Sequence, residues 1–412
     1  MPKKILILTA DAGFGHRSAA NAILAALNER HSDVVVEIVN PLARPDAPSL
    51  LRFAESDYDR EVQQSPELYN LGYQASDAAV AIGLIEQSLI AMLYKSLRAV
   101  LEETLPDAIV STYPLYQAPL AAVFALGERY LPVMVVVTDL STVHGLWFHD
   151  EVDLCLVPTE LVQVKALASG LPPERVRVTG LPVNPLFARP ADRTALRAGF
   201  GWRADRTVAL FTGSTRVTKL EPIAHTLNHS GLPLELALVT GNNKALRSQW
   251  QSESWHLPAH VYGFVDNMAD MIRAADLLVC KAGGLIVSEA LAAGVPLLIA
   301  QAIPGQETGN AAVVVQGGAG EMVADGVDAL VAVCHWLEHD GALLAERAAS
   351  ARKLGRPGAA YQIADLAYQA ALTGAQPREH RLPRNLPQLR ETIKSQPISS
   401  GLERLLKTLT DV

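Results

Sequence analysis

The chain opens on a short apolar run at residues 5–8, then a turn punctuated by Gly13 and Gly15, then an Ala-rich stretch at 18–27. In that stretch Ile23 and Leu27 share one helical face. A continuous apolar run bounded by turn residues marks a strand buried on both sides, as in a parallel sheet. Val34–Val39 supplies the next such run. The first forty residues therefore predict a βαβ unit, the entry to a doubly wound sheet.

Residues 42–105 change period, with Leu50, Leu51, Phe53, Leu68, Leu71, Ile82, Ile85, Leu89, Leu93, Leu97 and Leu101 on broad helical faces. Strands resume at Ala108–Ser111, 133–138, Leu154–Val157 and Val176–Val178, and a Pro-rich stretch at 181–190 predicts a linker. A second α/β series follows, with strands at 208–211, Leu234–Val239, 277–280 and 297–299. The chain thus divides into a first domain at 1–185, a linker at 186–205 and a second domain at 206–355. A helix at 356–375 is expected to return to the first domain, ahead of a basic, Pro-rich tail at 376–412. The expected fold class is α/β, with two Rossmann-like parallel-sheet domains facing a central cleft. Such pairs bind ligands in the cleft, at the carboxyl ends of strands.

Composition narrows the reading. A 412-residue chain that is 49% hydrophobic and 19% charged can bury a large core without disulfides or metals. The net charge of −8 argues against nucleic acid as a partner. The charge is uneven: residues 347–412 carry 11 basic and 5 acidic side chains, leaving the rest strongly acidic. A basic end can meet an anionic surface. At 400–412, Leu402, Leu405, Leu406 and Leu409 form a helical stripe beside Arg404 and Lys407, suited to a membrane surface or to packing on protein. Cys155, Cys280 and Cys334 stand far apart, as in a reducing cytosolic setting. The N-terminal run is too short for a signal peptide, and the longest uncharged run, 108–127, is broken by Pro114 and Pro119. Any membrane contact is expected from outside.

Three loops carry candidate chemistry. Residues 11–16 read DAGFGH and open a helix just after the first strand. Glycine allows close backbone approach, the helix start offers free N–H groups, and His16 suits a general base. Read alone, the segment is equally a turn with a surface histidine. Residues 280–294 place Gly283 and Gly284 at a second helix start, with Glu289 in position to accept from vicinal ribose hydroxyls or simply to complement the helix dipole. Residues 303–310 pack Gln306, Glu307 and Asn310 into a Gly/Pro loop able to bracket sugar hydroxyls. Asp139 follows a strand and suits either a cleft role, orienting His16 or the acceptor, or a helix cap. Trp147 and Phe148 fit an acceptor path or core. His144 and His149 are not spaced as a metal pair on one helical face, and Asp57-Tyr58-Asp59 falls in a helical acidic stretch, read as a solvated surface.

These residues match a family. The chain resembles monogalactosyldiacylglycerol synthases and bacterial diacylglycerol glucosyltransferases of glycosyltransferase family 28. It is more distantly similar to the GlcNAc transferase that completes the lipid-linked peptidoglycan precursor. The ordered matches are DAGFGH with Arg17-Ser18-Ala19-Ala20, TDLSTVHGLWFH at 138–149, PTE at 158–160 and GLPVNPLF at 180–187. In the second half they are TGNNKAL at 240–246, VYGFVDNMADMIRAADLLVCKAGG at 261–284, SEAL at 288–291 and PGQETGN at 304–310.

The resemblance implies a GT-B enzyme that moves galactose or glucose from a UDP-sugar to diacylglycerol with inversion, without metal or other cofactor. It implies His16 as the base, with Asp139 beside it. Phe264 and Val265 would contact uracil, Glu289 the ribose, and Gly283 and Gly284 the diphosphate. Gln306, Glu307 and Asn310 would read the sugar. Gly15, Gly213, Ser214, Thr215 and Asn243 complete the donor-facing set. The implied partners are the UDP-sugar, a lipid acceptor and an anionic membrane surface, and the expected location is cytoplasmic, on the inner face of the plasma membrane. Two departures from the family are Phe14 in the first loop and Phe211-Thr212-Gly213-Ser214-Thr215 in place of a Gly-rich phosphate loop. The Lys281-Ala282-Gly283-Gly284 turn combines features of the galactosyl and glucosyl branches. The rival readings are a UDP-GlcNAc 2-epimerase, a GlcNAc transferase of the same fold and a non-catalytic UDP-sugar-binding protein. A nicotinamide oxidoreductase is disfavoured, because residues 11–16 lack the third glycine of the dinucleotide fingerprint.

Overall fold

The computed structural model describes residues 2–11, 15–45, 47, 76–127, 129–214, 217, 219–305 and 307–377. Among them lie two six-stranded sheets, and every pairing within these sheets is parallel. The first contains β1 (Lys3–Leu8), β2 (Val34–Val39), β3 (Ala108–Ser111), β5 (Val133–Val136), β6 (Leu154–Val157) and β7 (Val176–Val178), in the order β2-β1-β3-β5-β6-β7. The second contains β8 (Thr207–Thr212), β9 (Leu234–Val239), β10 (Ala259–Tyr262), β11 (Leu277–Lys281), β12 (Leu297–Gln301) and β13 (Gly320–Met322), in the order β10-β9-β8-β11-β12-β13. The order reverses beside β1 in the first sheet and beside β8 in the second. Crevices open at such reversals, outside the carboxyl ends of the strands.

Strand β1 shows how the sequence sorts its faces. Ile5 and Ile7 point to one side, packing with Ile23 and Leu27 of helix α1 (Gly15–Arg30). Leu6 and Leu8 point to the other, in a cluster with Leu89, Leu93 and Leu97 of the long helix α2 (Ala79–Thr104). Burial on both faces is what the unbroken apolar run requires. Much of the helical stretch that precedes α2, including Asp57-Tyr58-Asp59, lies outside the described residues.

The helix at Ala359–Thr373 crosses back from the second domain and seats Ala360, Ile363, Ala364, Ala367 and Ala371 in the first-domain core. Its alanines let the backbones approach closely. Polar contacts border it: His31 stacks on Tyr368 with ring centroids 4.0 Å apart, Arg30 pairs with Asp365, and Arg356 reaches Glu160 at 2.7 Å. Immediately after it, Gln376–Pro377 pairs antiparallel with β4 (Arg129–Tyr130). The remainder of the basic tail lies outside the described residues. The stretch at 186–205 holds a helix, Arg193–Phe200, whose Arg193 and Arg197 both pair with Asp276, while Phe187 and Trp202 enter the second-domain core.

Candidate functional site

The two crevices meet. His16 stands in the first turn of α1, directly after β1, and its ring reaches the end of the neighbouring strand β3. His16 Nδ1 lies 2.9 Å from the Thr112 carbonyl oxygen and 2.7 Å from Thr138 Oγ1. A carbonyl can only accept, so Nδ1 carries the proton and donates it there. That choice of tautomer leaves the lone pair on Nε2. The ring is also fixed edge-on against Tyr113 at 4.9 Å. Burial disfavours the charged imidazolium and pushes the pKa down to about 4, against which the Thr112 carbonyl acts only weakly. The histidine is therefore a neutral base throughout the physiological range.

Asp139 takes a different part. Its Oδ2 accepts from Trp147 Nε1 at 2.8 Å, and Trp147 is fully buried in the first-domain core. The nitrogen of His16 that an orienting carboxylate would hold is engaged by Thr112 and Thr138. The carboxylate instead fixes the turn on which Thr138 rides. Phe148 is core as well. His144 and His149 each accept a backbone N–H two residues ahead through Nδ1, so both act as local caps.

In the second domain, Gly283 caps the helix Gly284–Ala293, whose first-turn N–H groups have no intrahelical acceptor. This helix start faces the first domain at close range. A Cβ on Gly284 would stand 3.3 Å from the Thr138 carbonyl oxygen and 3.6 Å from the Leu140 nitrogen. Thr138 thus touches both the base and the helix end. A Cβ on Gly309 would overlap the Ser141 hydroxyl and crowd that of Thr142, so a larger residue there would displace both.

Glu289 is half-buried and has no hydrogen bond or ion pair to any described residue. Desolvation pushes its carboxyl pKa up to about 8. Two acceptor oxygens without donors suit a ligand that brings its own hydroxyls. Phe264 follows β10 with 62% of its surface exposed, while Val265 packs on the core. Asn243 is an N-cap, its side chain accepting from Leu246 N at 3.0 Å, and its Nδ2 lies 3.4 Å from the Ser214 carbonyl oxygen. It therefore shapes the turn after β8, where Gly213 N donates to Val239 O at 2.7 Å.

Glu307 and Asn310, expected to read a sugar, are both engaged within the protein. Glu307 is 5% exposed, pairs with Lys281, and accepts from Ile303 N at 3.1 Å. Asn310 ties the domains together: Ser141 Oγ donates to its Oδ1 at 2.9 Å, and its Nδ2 donates to the Ala282 carbonyl at 2.9 Å. Thr215 and Gln306 lie outside the described residues. The sequence motifs contain Thr138, Ser141 and Lys281 but assign none of them a role. Each stands beside a residue they did select, and each lies at or just beyond the carboxyl end of a strand, which is the one signal that could have found them.

Two family models cover the chain. The monogalactosyldiacylglycerol (MGDG) synthase model matches residues 16–183, and the glycosyltransferase family 28 C-terminal domain matches residues 207–360. A probable chloroplastic monogalactosyldiacylglycerol synthase of Glycine max is 32% identical over 88% of this chain and 70% of its own length. The chloroplastic enzyme of Spinacia oleracea is 32% identical over 88% of this chain and 71% of its own. Among solved structures, Acinetobacter baumannii MurG superposes with a TM-score of 0.56 at 17% identity, covering 89% of this chain and all of that one. The UDP-GlcNAc 2-epimerase of Neisseria meningitidis gives 0.55 at 15% identity, covering 90% of this chain and 100% of that one. At such identities the structures establish the shared two-domain fold, which is GT-B, and nothing of the reaction.

One expectation is overturned. The relatives are chloroplastic proteins, so the inner face of the plasma membrane is not where this family points. Among the described residues no helix is long and apolar enough to cross a membrane.

Proposed function

The chain belongs to the monogalactosyldiacylglycerol synthase family, and from that premise we propose that it is an inverting glycosyltransferase moving a hexose from a UDP-sugar to the hydroxyl of diacylglycerol. One observation carries the site assignment. A neutral histidine whose Nε2 carries the lone pair and a helix N-terminus are brought together through a single residue, Thr138.

The chemistry follows from that placement. The acceptor oxygen attacks the anomeric carbon from the face opposite the diphosphate. As the new C–O bond forms, the bond to the diphosphate oxygen breaks and its electron pair leaves with UDP. His16 Nε2 takes the acceptor proton. A pKa of about 4 keeps Nε2 available, and the negative charge growing on UDP favours the imidazolium as the reaction proceeds. The first turn of Gly284–Ala293 lies where that charge grows, so its N–H groups bind the leaving group more tightly than the ground state. Glu289 supplies acceptors for the ribose hydroxyls, and Phe264 and Val265 present backbone to the uracil. No metal or other cofactor enters this scheme.

The test incubates the protein with UDP-galactose or UDP-glucose and diacylglycerol vesicles. Glycolipid and UDP appearing in equal amounts support the proposal. Absence of both with every sugar donor overturns it, and release of free 2-epimerised sugar without acceptor would establish the epimerase instead.

A further inference from the structure

Strand β11 does not run straight to its end. Its register with β12 shifts between Cys280 and Lys281: Cys280 pairs with Ile299, and Lys281 pairs with Gln301, passing over Ala300. A register shift of this kind bends a strand and re-aims the side chain beside it. Here it directs Lys281 towards the loop that follows β12. There Lys281 Nζ pairs with Glu307 Oε1, while Glu307 Oε2 accepts from the Ile303 N–H at 3.1 Å. Both partners are largely withdrawn from water, with side-chain exposures of 18% and 7%. Nζ lies 3.3 Å, and Oε1 3.7 Å, from where a Cβ on Gly283 would stand, so the pair borders the start of the Gly284–Ala293 helix.

A buried ion pair is a poor source of stability, because two charges lose their water and an apolar pair of similar volume often serves as well. Its position supplies a better reason for it. Each carboxylate oxygen has two acceptor positions. Lys281 and Ile303 occupy one on each oxygen, and the carboxylate plane is thereby fixed.

We propose that Lys281 is a positioning residue for donor selection, aimed by the β11 irregularity to hold the Glu307 carboxylate in one orientation as an acceptor for hydroxyls of the hexose. This rests on the donor-binding reading above and adds to it the group that makes Glu307 selective. The two epimers of a hexose at one carbon differ in where a single hydroxyl points. A carboxylate fixed at both oxygens discriminates between them, whereas one free to rotate follows either.

The proposal separates sugar from nucleotide. In Lys281→Met, affinity for UDP alone, measured by calorimetry, stays at the wild-type value. Affinity for the preferred UDP-hexose falls about tenfold or more, because the site is built to hydrogen-bond a hydroxyl. The preference between UDP-galactose and UDP-glucose narrows towards unity. Lys281→Arg, which keeps the charge, restores part of the preference. Should Lys281→Met fail to fold, Lys281→Arg and Glu307→Gln are read in the same way. Glu307→Gln keeps the shape and loses the charge, and it must narrow the preference without weakening UDP. The proposal is overturned if UDP alone weakens as much as the UDP-hexose, since Lys281 would then serve the diphosphate, or if the preference survives in both Lys281→Met and Glu307→Gln. Binding is read without turnover. A wild-type protein that selects one UDP-hexose yet makes no glycolipid would sink the transferase reading and leave this one standing.

Discussion

The two faces of the cleft solve opposite electrostatic problems by the same means. On the first-domain face a base, His16, is held by neutral groups and pushed down to about 4. On the second-domain face an acid, Glu289, has no hydrogen-bond or ion-pair partner among the described residues and is pushed up to about 8. Between those values both side chains are uncharged. The difference lies in what each face awaits. His16 is already oriented and needs only a proton to accept. Glu289 needs donors from a ligand before its charge becomes favourable. His16 and Glu289 thus take up charge only as substrate binds and reacts, so Glu289 does not repel an anionic donor.

The comparison breaks most visibly at His16. His16→Ala should lower kcat by about 10²–10⁴-fold, the usual contribution of a positioned general base. It should leave UDP affinity unchanged, because no donor contact is removed. Rapid-quench glycolipid assays beside UDP calorimetry read the two effects separately. Equal loss of both would move His16 from catalysis to binding.

Glu289 gives the next largest effect. Hydrogen bonds to a charged group contribute about 1.5–3 kcal/mol, so Glu289→Ala should weaken UDP by about 10- to 150-fold. Donor binding also carries a sign. Ribose hydroxyls favour the carboxylate, so the pKa falls from about 8 on binding, a proton is released below pH 8, and affinity rises as pH rises to that value. Calorimetry in buffers of different ionisation enthalpy detects the proton, and Glu289→Gln must abolish it.

Stability sharpens the same contrast. The His16 pKa is lower folded than its ordinary 6.5, so the unfolded chain binds the extra proton between those values and stability is lost as pH falls from 6.5 towards 4. The Glu289 pKa is higher folded than its ordinary 4.5, so the native protein binds the extra proton and stability is lost as pH rises from 4.5 to 8. Above pH 6.5 only the second slope remains of these two. Urea titrations across pH 6.5–8 should therefore show a decline in wild type that is reduced in Glu289→Gln.

The strands with continuous apolar runs were legible from sequence, because burial on both faces leaves an unambiguous mark. The edge strands of the second sheet were not. Ala259–Tyr262 is half-buried along its length and carries His260, and Gly320–Met322 is three residues long, so neither shows a run or an alternation. The loops of the site were legible by their glycines and by family likeness. The partners within them were not. Glu307 is read as a free sugar ligand until the shift at Lys281 is seen, and Asn310 until Ser141 is seen across the cleft. Both relations span long sequence separations, through register and domain approach, which no local pattern encodes. Asp139 also accepts from an indole eight residues on, a contact that no periodicity marks.

The smallest expected effect tests whether the neutral hold on His16 suffices. Thr138→Val removes one of two contacts to Nδ1 and keeps the volume. A neutral hydrogen bond contributes about 0.5–1.5 kcal/mol, so kcat should fall about two- to tenfold, with Thr138→Ser recovering most of it. The Thr112 carbonyl still selects the Nδ1–H tautomer, so the acid limb of the pH–rate profile should not move. A carboxylate in contact with Nδ1 would hold the imidazolium and raise that limb towards neutrality. Thr138→Asp introduces that contact deliberately. If it shifts the limb upward while Thr138→Val does not, the low pKa of the base follows from burial without a charged partner at Nδ1, and the two faces differ in the way described.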